Sequence, residues 1–482
     1  MARRVRHQTP AVAGLVVALV FAGRAAAADP PRGFTTPPWR LEAIEFVDGR
    51  RLEGLIVPTE DGDGPDDILF VQVVRRPGRP MYIIRWGPLS ADRIRSLERL
   101  PPADRAQLAA RIDAYREGRD RRQNAETEVL LARDDDQGPW LYEGPDFLLE
   151  STGEARITRE AVVRLEQMLG ALANLVPPVA DPDAARFTVR LCGSLAEYRG
   201  VQDDLGVRIE NAAFFVPARR LLVAGSDMPV IVDRERAAAE ANALAANRLD
   251  AFDRDLANRL TALAADLEKQ GVPAAQRADV VQRARTRWKN ESAAERVRIE
   301  TANRENAGRV AAARRDFYAR LAHEAWHAYA ECRLRSRSQG RLPLWLDEGL
   351  AQVVESAPLE AGELRLDLPD PARLAALQEL LRTGRCPPLA DVLRGGTEQF
   401  IAGHAGAKSD TARAYLAAWG LALDLAILRP VITPAALASL CGSAETESDA
   451  VGRFETLAGA PLAEFERGWR QRVLGLRVRP GR

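Results

Sequence analysis

Histidine is scarce in this chain, with 4 in 482 residues, beside 4 cysteines, 4 methionines and an aromatic share of only 6%. Charge of either sign is not in excess: Lys and Arg total 68, Asp and Glu total 68, and the formal net charge is zero. Nucleic-acid binders normally carry a basic surplus, so composition points away from that class of partner. The cysteines, Cys192, Cys332, Cys386 and Cys441, show no C-x-x-C spacing, which argues against a metal site built from cysteine alone. Four cysteines allow three full disulfide pairings, and the spacing does not choose among them. A G-x-S-x-G nucleophile elbow is missing. The stretch from Gly403 to Ser409 lacks the glycine before Lys408 that a phosphate loop needs. Past the first thirty residues or so, no run is long and apolar enough to cross a bilayer.

What is present begins with a processing signal. Arg3, Arg4 and Arg6 precede an uncharged, mostly apolar run from Ala11 to Gly23, and Ala25 to Ala28 supply small residues before Asp29. This pattern predicts a signal peptide over residues 1–28, with cleavage near Ala28. The mature protein is then expected to be periplasmic or secreted; the alternative is an uncleaved N-terminal membrane anchor. The 46% hydrophobic content is that of a globular protein, and the length allows more than one domain.

Periodicity divides the remainder. Residues 29–38 are Pro-rich and read as a linker. Residues 39–90 alternate like strands, with Asp48-Gly49 as a hairpin turn, and predict a small all-β module. Its acidic stretch from Glu60 to Asp67 lacks the ligand spacing of an EF-hand and reads as a solvated loop. Residues 91–127 read as a charged helical connector. Residues 128–232 alternate strand and helix: Trp140 to Leu149 strand, Arg159 to Leu175 helix, Phe187 to Leu191 strand, Leu195 to Leu205 helix, Leu221 to Ala224 strand. Residues 233–318 are rich in Ala, Arg and Glu, with Leu249, Phe252, Leu256, Leu260, Leu263 and Leu267 at helical steps. Gly271-Val272-Pro273 breaks that stripe, predicting a long helical hairpin inserted before a helical part at 319–474. The expected fold class is α+β.

Two of the histidines fall in His323-Glu324-Ala325-Trp326-His327, flanked by helical sequence. Positions i and i+4 share a helix face, so both imidazoles can reach one ion. Glu324 can approach a metal-bound water and take its proton. A catalytic zinc site usually has three protein ligands and one open position. The third candidate is Glu348, in Trp345-Leu346-Asp347-Glu348-Gly349-Leu350-Ala351, separated from His327 by twenty residues and behind Pro343, which suits a helix start.

H-E-x-x-H followed by W-L-x-E-G-x-A resembles the gluzincins, which include the membrane-alanyl-type aminopeptidases and the peptidase-MA-like domains of exported bacterial proteins. The resemblance is specific over residues 318–356 and looser over 140–230 and 357–474. It implies a zincin-like catalytic domain with Zn2+ on His323, His327 and Glu348, and Glu324 as general base. It also implies an edge strand for peptide, for which Leu221 to Ala224 is the candidate. Glu355 matches an acidic position common in that second helix. A downstream tyrosine that donates to the oxyanion maps onto Tyr415, with His404 as the other candidate donor. The G-x-M-E-N element of the aminopeptidases is missing upstream of His323, which puts that exopeptidase activity in doubt. The expected function is therefore an exported zinc metallopeptidase acting on a peptide or protein, with the hairpin at 233–318 as a lid or the surface for a protein partner. Two other readings remain open: a zinc-stapled scaffold of the cell envelope, and a zinc hydrolase of a non-peptide amide.

Overall fold

The computed structural model describes residues 39–57, 67–76, 79–117, 129–133, 135–136, 138–178, 185–334, 341–360, 362–367, 369–396, 400, 409–441 and 450–477. The expected signal peptide and linker, most of the acidic loop, and His404 with Lys408 lie outside them. From Arg40 onward the chain forms one compact unit.

The β-rich start folds as expected locally but not as a separate module. β1 (Glu42–Phe46), β2 (Arg51–Val57), β3 (Asp67–Val74) and β4 (Tyr82–Ser90) form an antiparallel meander, with Asp48-Gly49 turning β1 into β2. Two corrections follow. The supposed helical connector opens with β5 (Ile94–Glu98), which pairs with β1, and only then becomes α1 (Pro102–Arg116). Ile94 and Leu97 do not alternate at the strand period, and the segment reads as strand only once β1 offers it a partner edge. At the other edge β4 pairs in parallel with a strand from far downstream, so this sheet is shared with the C-terminal half.

The second sheet carries β6 (Trp140–Glu143) and β7 (Phe147–Ser151), a hairpin where one strand was expected, because Gly144-Pro145 breaks the run. α2 (Ala155–Leu175), β8 (Phe187–Leu191), α3 (Leu195–Leu205), β9 (Ala213–Val216) and β10 (Leu221–Ala224) complete it, in the order β6-β7-β8-β10-β9. β10 lies inside the sheet and β9 is the edge, so Leu221 to Ala224 is not the edge strand predicted from sequence. The short antiparallel return through Pro217–Arg219 covers it.

α4 (Met228–Lys269) and α5 (Ala274–Tyr329) make the long hairpin, turned at Gly271, whose φ of 77° is costly for residues with a side chain. The hairpin is not a separate insertion before the metal-binding helix. α5 runs 56 residues without a proline and carries both histidines at its C-terminal end. The two arms pack through Phe252 against Trp288, with ring centroids 3.9 Å apart, and Arg296 bridges Asp250 and Asp253 at 2.8 and 2.7 Å.

After a π-turn at Ala330–Leu334 come α6 (Leu344–Ser356), β11 (Leu359–Glu360) and β12 (Glu363–Arg365). β12 is the partner of β4. The further α-helices among the described residues are α7 (Pro371–Arg382), α8 (Leu389–Leu393), α9 (Ser409–Leu423), which runs into a π-turn at Asp424–Leu428, α10 (Pro434–Leu440), α11 (Ala450–Ala458) and α12 (Leu462–Gly475). The architecture is thus α+β, with both sheets and the helices contributing to one apolar core. α2 is tied to the first sheet region by Gln167, whose Nε2 donates to the carbonyls of Ile83 and Gly362 at 2.7 and 3.1 Å. Asp410–Leu428 is long and apolar enough to cross a membrane, contrary to the expectation from sequence, but it is mostly buried in this core.

α6 is the most enclosed of the site-bearing elements. Trp345 and Leu346 are buried, and the Trp345 ring meets Phe454 edge-on at 5.8 Å. Its other side presses against α9 at Gly349, where an added Cβ would lie 2.6 Å from the carbonyl oxygen of Ala418 and 2.9 Å from the Ala422 methyl. Backbone cannot yield easily, so this clash outweighs the gain in helix propensity from replacing glycine. Gly349→Ala is therefore expected to lower unfolding free energy by about 1–3 kcal/mol, read by chemical denaturation. A neutral or stabilising result would show that α9 can give way.

Candidate metal centre

α5 and α6 lie side by side, and each supplies donors to one point. His323 and His327 project from the same face of α5, with ring centroids 5.0 Å apart and planes at 65°. His323 Nε2 lies 3.6 Å from Glu348 Oε2, and His327 Nε2 lies 3.7 Å from Glu348 Oε1. The three ligand atoms all fall within 4.8 Å of one another. A tetrahedral ion with bonds of about 2.1 Å needs ligand separations of roughly 3.4 Å, so small side-chain adjustments would close the set.

The far nitrogens are held. His323 Nδ1 is 3.0 Å from Glu355 Oε2, and His327 Nδ1 is 3.3 Å from Asp347 Oδ1. Trp326 Nε1 donates to the same Asp347 oxygen at 2.7 Å. A carboxylate at Nδ1 fixes the tautomer and ring orientation and leaves the Nε2 lone pair for a metal. Glu355 is itself braced by Arg320 at 3.1 Å and Arg373 at 3.5 Å. Burial pushes its pKa upward, but the hydrogen bond with His323 and the charges of His323, Arg373 and Arg320 prevail and hold it at about 2. Asp347 is likewise held low: burial opposes ionisation, and the charge and hydrogen bond of His327 overcome it.

The residues fit a cation on two further grounds. Glu348 is buried, and its Oε2 has no hydrogen-bond partner among the described residues. A buried acceptor left unmet costs about 1–3 kcal/mol, more when charged, unless a positive ion meets it. Negative charge is also in surplus. Burial raises the Glu348 pKa, the two histidines lower it, and Asp347 and Glu324 raise it again. The His327 pKa is depressed by burial but lifted by Asp347, Glu348 and Glu324 to about 10, the response of a base in a pocket that favours positive charge.

Glu324 is half-buried, and its charge is felt by His327, Glu348 and the Tyr198 hydroxyl of α3. It makes no hydrogen bond or ion pair with a described residue, so its carboxylate is available. The edge strand β9 packs against α5. Tyr415 lies on α9, which packs against α6. Gln352 Nε2 donates to the carbonyls of Glu348 and Tyr415, both at 3.3 Å, and its Oε1 accepts from Arg373 at 2.9 Å. The Tyr415 ring meets Phe400 edge-on at 5.4 Å. Burial and then the charges of Glu348 and Glu355 push its pKa up, which puts the phenol within electrostatic reach of the centre. The four cysteines are all free and buried, and none joins the metal group among the described residues.

Reading the sequence alone gave Asp347 no role, although it stands inside the quoted motif. The available signal was its place one residue before Glu348, since adjacent helix positions are about 100° apart and face different neighbours. No family model, curated protein or solved structure matches the chain.

Glu355→Gln and Asp347→Asn should each weaken metal binding by about 10- to 100-fold, and Glu348→Ala should weaken it further, as measured by competition with a chromophoric chelator. Unchanged affinity in both conservative variants would mean the carboxylates do not orient the imidazoles. Because metal uptake must expel protons from the imidazoles, affinity should rise with pH, by up to about tenfold per unit for each proton released.

Proposed function

We propose that the protein is a zinc-dependent metallopeptidase of the gluzincin type. The observation that carries this reading is the three-residue group of His323, His327 and Glu348 with a buried, unmet carboxylate oxygen and the available carboxylate of Glu324 beside it. Three protein ligands of N, N and O type suit a catalytic zinc, whereas structural zinc is normally closed by four. Imidazole with one carboxylate also accommodates other first-row ions, and zinc is chosen on the added resemblance of the two motifs.

A zinc ion bound here would polarise a carbonyl and make water a stronger acid. Glu324 then accepts the proton of the attacking water and returns it to the departing amine, which asks of it a carboxylate that is ionised and not tied up in an ion pair. Asp347 and Glu355 keep the imidazoles oriented through the cycle. Tyr415 donates its hydroxyl to the oxygen on which negative charge develops, a role that needs the phenol neutral, as its raised pKa ensures. The edge strand β9 is the surface along which an extended peptide pairs. The proposed location is outside the cytoplasm, on the signal-peptide pattern of residues 1–28.

Metal content and hydrolysis of a mixed peptide library test this together. The wild type should hold one zinc per chain and cleave. Glu324→Gln should keep its zinc and lose about 10²- to 10⁴-fold in kcat, and Tyr415→Phe should lose less. Zinc without cleavage of any peptide would move the assignment to a non-peptide amide or a zinc-stapled scaffold. A protein with no zinc would end it.

A further inference from the structure

A cavity of about 890 Å³ opens behind the metal centre, on the Nδ1 side of His323, where Glu355 forms part of its wall. That volume is in the range of small-molecule sites. Its apolar part comes from Leu165 and Met168 of α2, Val354 of α6, and Leu359 and Leu364 of the β11–β12 pair. α5 contributes the alanines Ala311, Ala319 and Ala322 beside Tyr318 and Leu321.

Four arginines line the same cavity, and their pairing is uneven. Arg314 has Glu160 at 3.8 Å, and Arg373 has Glu355 at 3.5 Å. Arg164 gives Nη1 to the neutral Gln167 at 3.0 Å, while its Nε is buried without a partner among the described residues. Arg315 is exposed and makes no hydrogen bond or ion pair with a described residue. On the acidic side, Glu160 and Glu355 face Arg314 and Arg373, Asp370 accepts from the Arg373 backbone N–H at 2.7 Å as the cap of α7, and Asp316 is exposed at the rim. The enclosed Tyr318 hydroxyl in this wall also lacks a partner among the described residues. The wall is mixed, with as many carboxylates as arginines, but Arg164 and Arg315 make no ion pair with a described residue and are the cations left to take an anionic group. An apolar chain fills the apolar part of that wall, and an anionic head takes the forked donors of Arg164 or Arg315.

We infer that this cavity is a second binding site, separate from the metal, for an apolar molecule carrying a single carboxylate or similar anionic head. The site does not depend on the proposed peptidase activity.

The test is isothermal titration of the full-length, zinc-loaded protein with decanoate below its micellar concentration, beside decanol and acetate. One decanoate should bind per chain, decanol should bind at least about tenfold more weakly, and acetate alone should give no measurable heat. Arg164→Gln and Arg315→Gln should each weaken decanoate by about tenfold while the melting temperature stays near wild type. Ala322→Trp, which fills the chamber, should abolish binding. Decanoate binding should survive in Glu348→Ala, which removes a metal ligand. Equal affinity for decanol, indifference to both arginine changes, loss of binding along with the metal, or no binding of decanoate would each overturn the inference.

Discussion

Two partly buried carboxylates, Asp347 and Glu355, each take one imidazole by its Nδ1, and the rest of the site depends on that grip. An unrestrained histidine on a helix can swing its ring, and ordering it costs rotamer entropy that a metal would have to supply. Here the cost falls on folding instead. Both carboxylates come from α6, as does the proposed ligand Glu348, while α5 supplies both rings. Glu348 and Glu355 are seven residues apart, two helical turns, and so present one face. The relative register of two helices therefore sets five side chains at once. Gly349 fixes how deeply α6 seats against α9, and Gln352 links the backbones of Glu348 and Tyr415, so the donor set is positioned from behind as well as from beside.

Such a concentration of acids would be unstable without compensation. Glu355 has three cationic or potentially cationic neighbours, Arg320, Arg373 and His323, and remains ionised across any ordinary working pH. Glu348 has no comparable partner, and its one unmet oxygen is the place where a cation lowers the energy most. The difference between two glutamates on one helix, one answered by arginines and one left open, is what separates the proposed orienting role from the proposed ligand role. Conversely, removing Arg373 would shift both Glu355 and Gln352, so the α7 start belongs to the same network.

Much of this was legible in the sequence because the key spacings are local. The i, i+4 histidines, the seven-residue step from Glu348 to Glu355 and the break at Gly271-Val272-Pro273 each encode geometry within one element. What was not legible is non-local. The strand at Ile94–Glu98 forms because β1 offers it an edge, and β12 pairs with β4, about 280 residues earlier (Glu363 opposite Ile83), a pairing that no short-range pattern announces. The identity of the edge strand in the second sheet depended on noticing Ala213–Val216, four residues folded back by a tight return, too short for periodicity to separate from loop. Asp347 was visible but mute, since its role depends on where Trp326 and His327 stand across the helix interface.

The long hairpin changes meaning once it is seen to be continuous with the histidine-bearing helix. A hinged lid needs a break at which a few residues absorb the change in backbone angles. Between Ala274 and Tyr329 the chain has no proline and a single glycine, Gly308, and the helix passes through it without interruption. At about 1.5 Å per residue, α5 extends roughly 84 Å, and the histidines sit in its last two turns. Closing such an arm over the centre by a hinge within α5 would bend the element that places both imidazoles. The outer, Arg-bridged part of the arm is continuous with the helix that carries His323 and His327. A docking surface is compatible with that continuity, and a hinged lid is not.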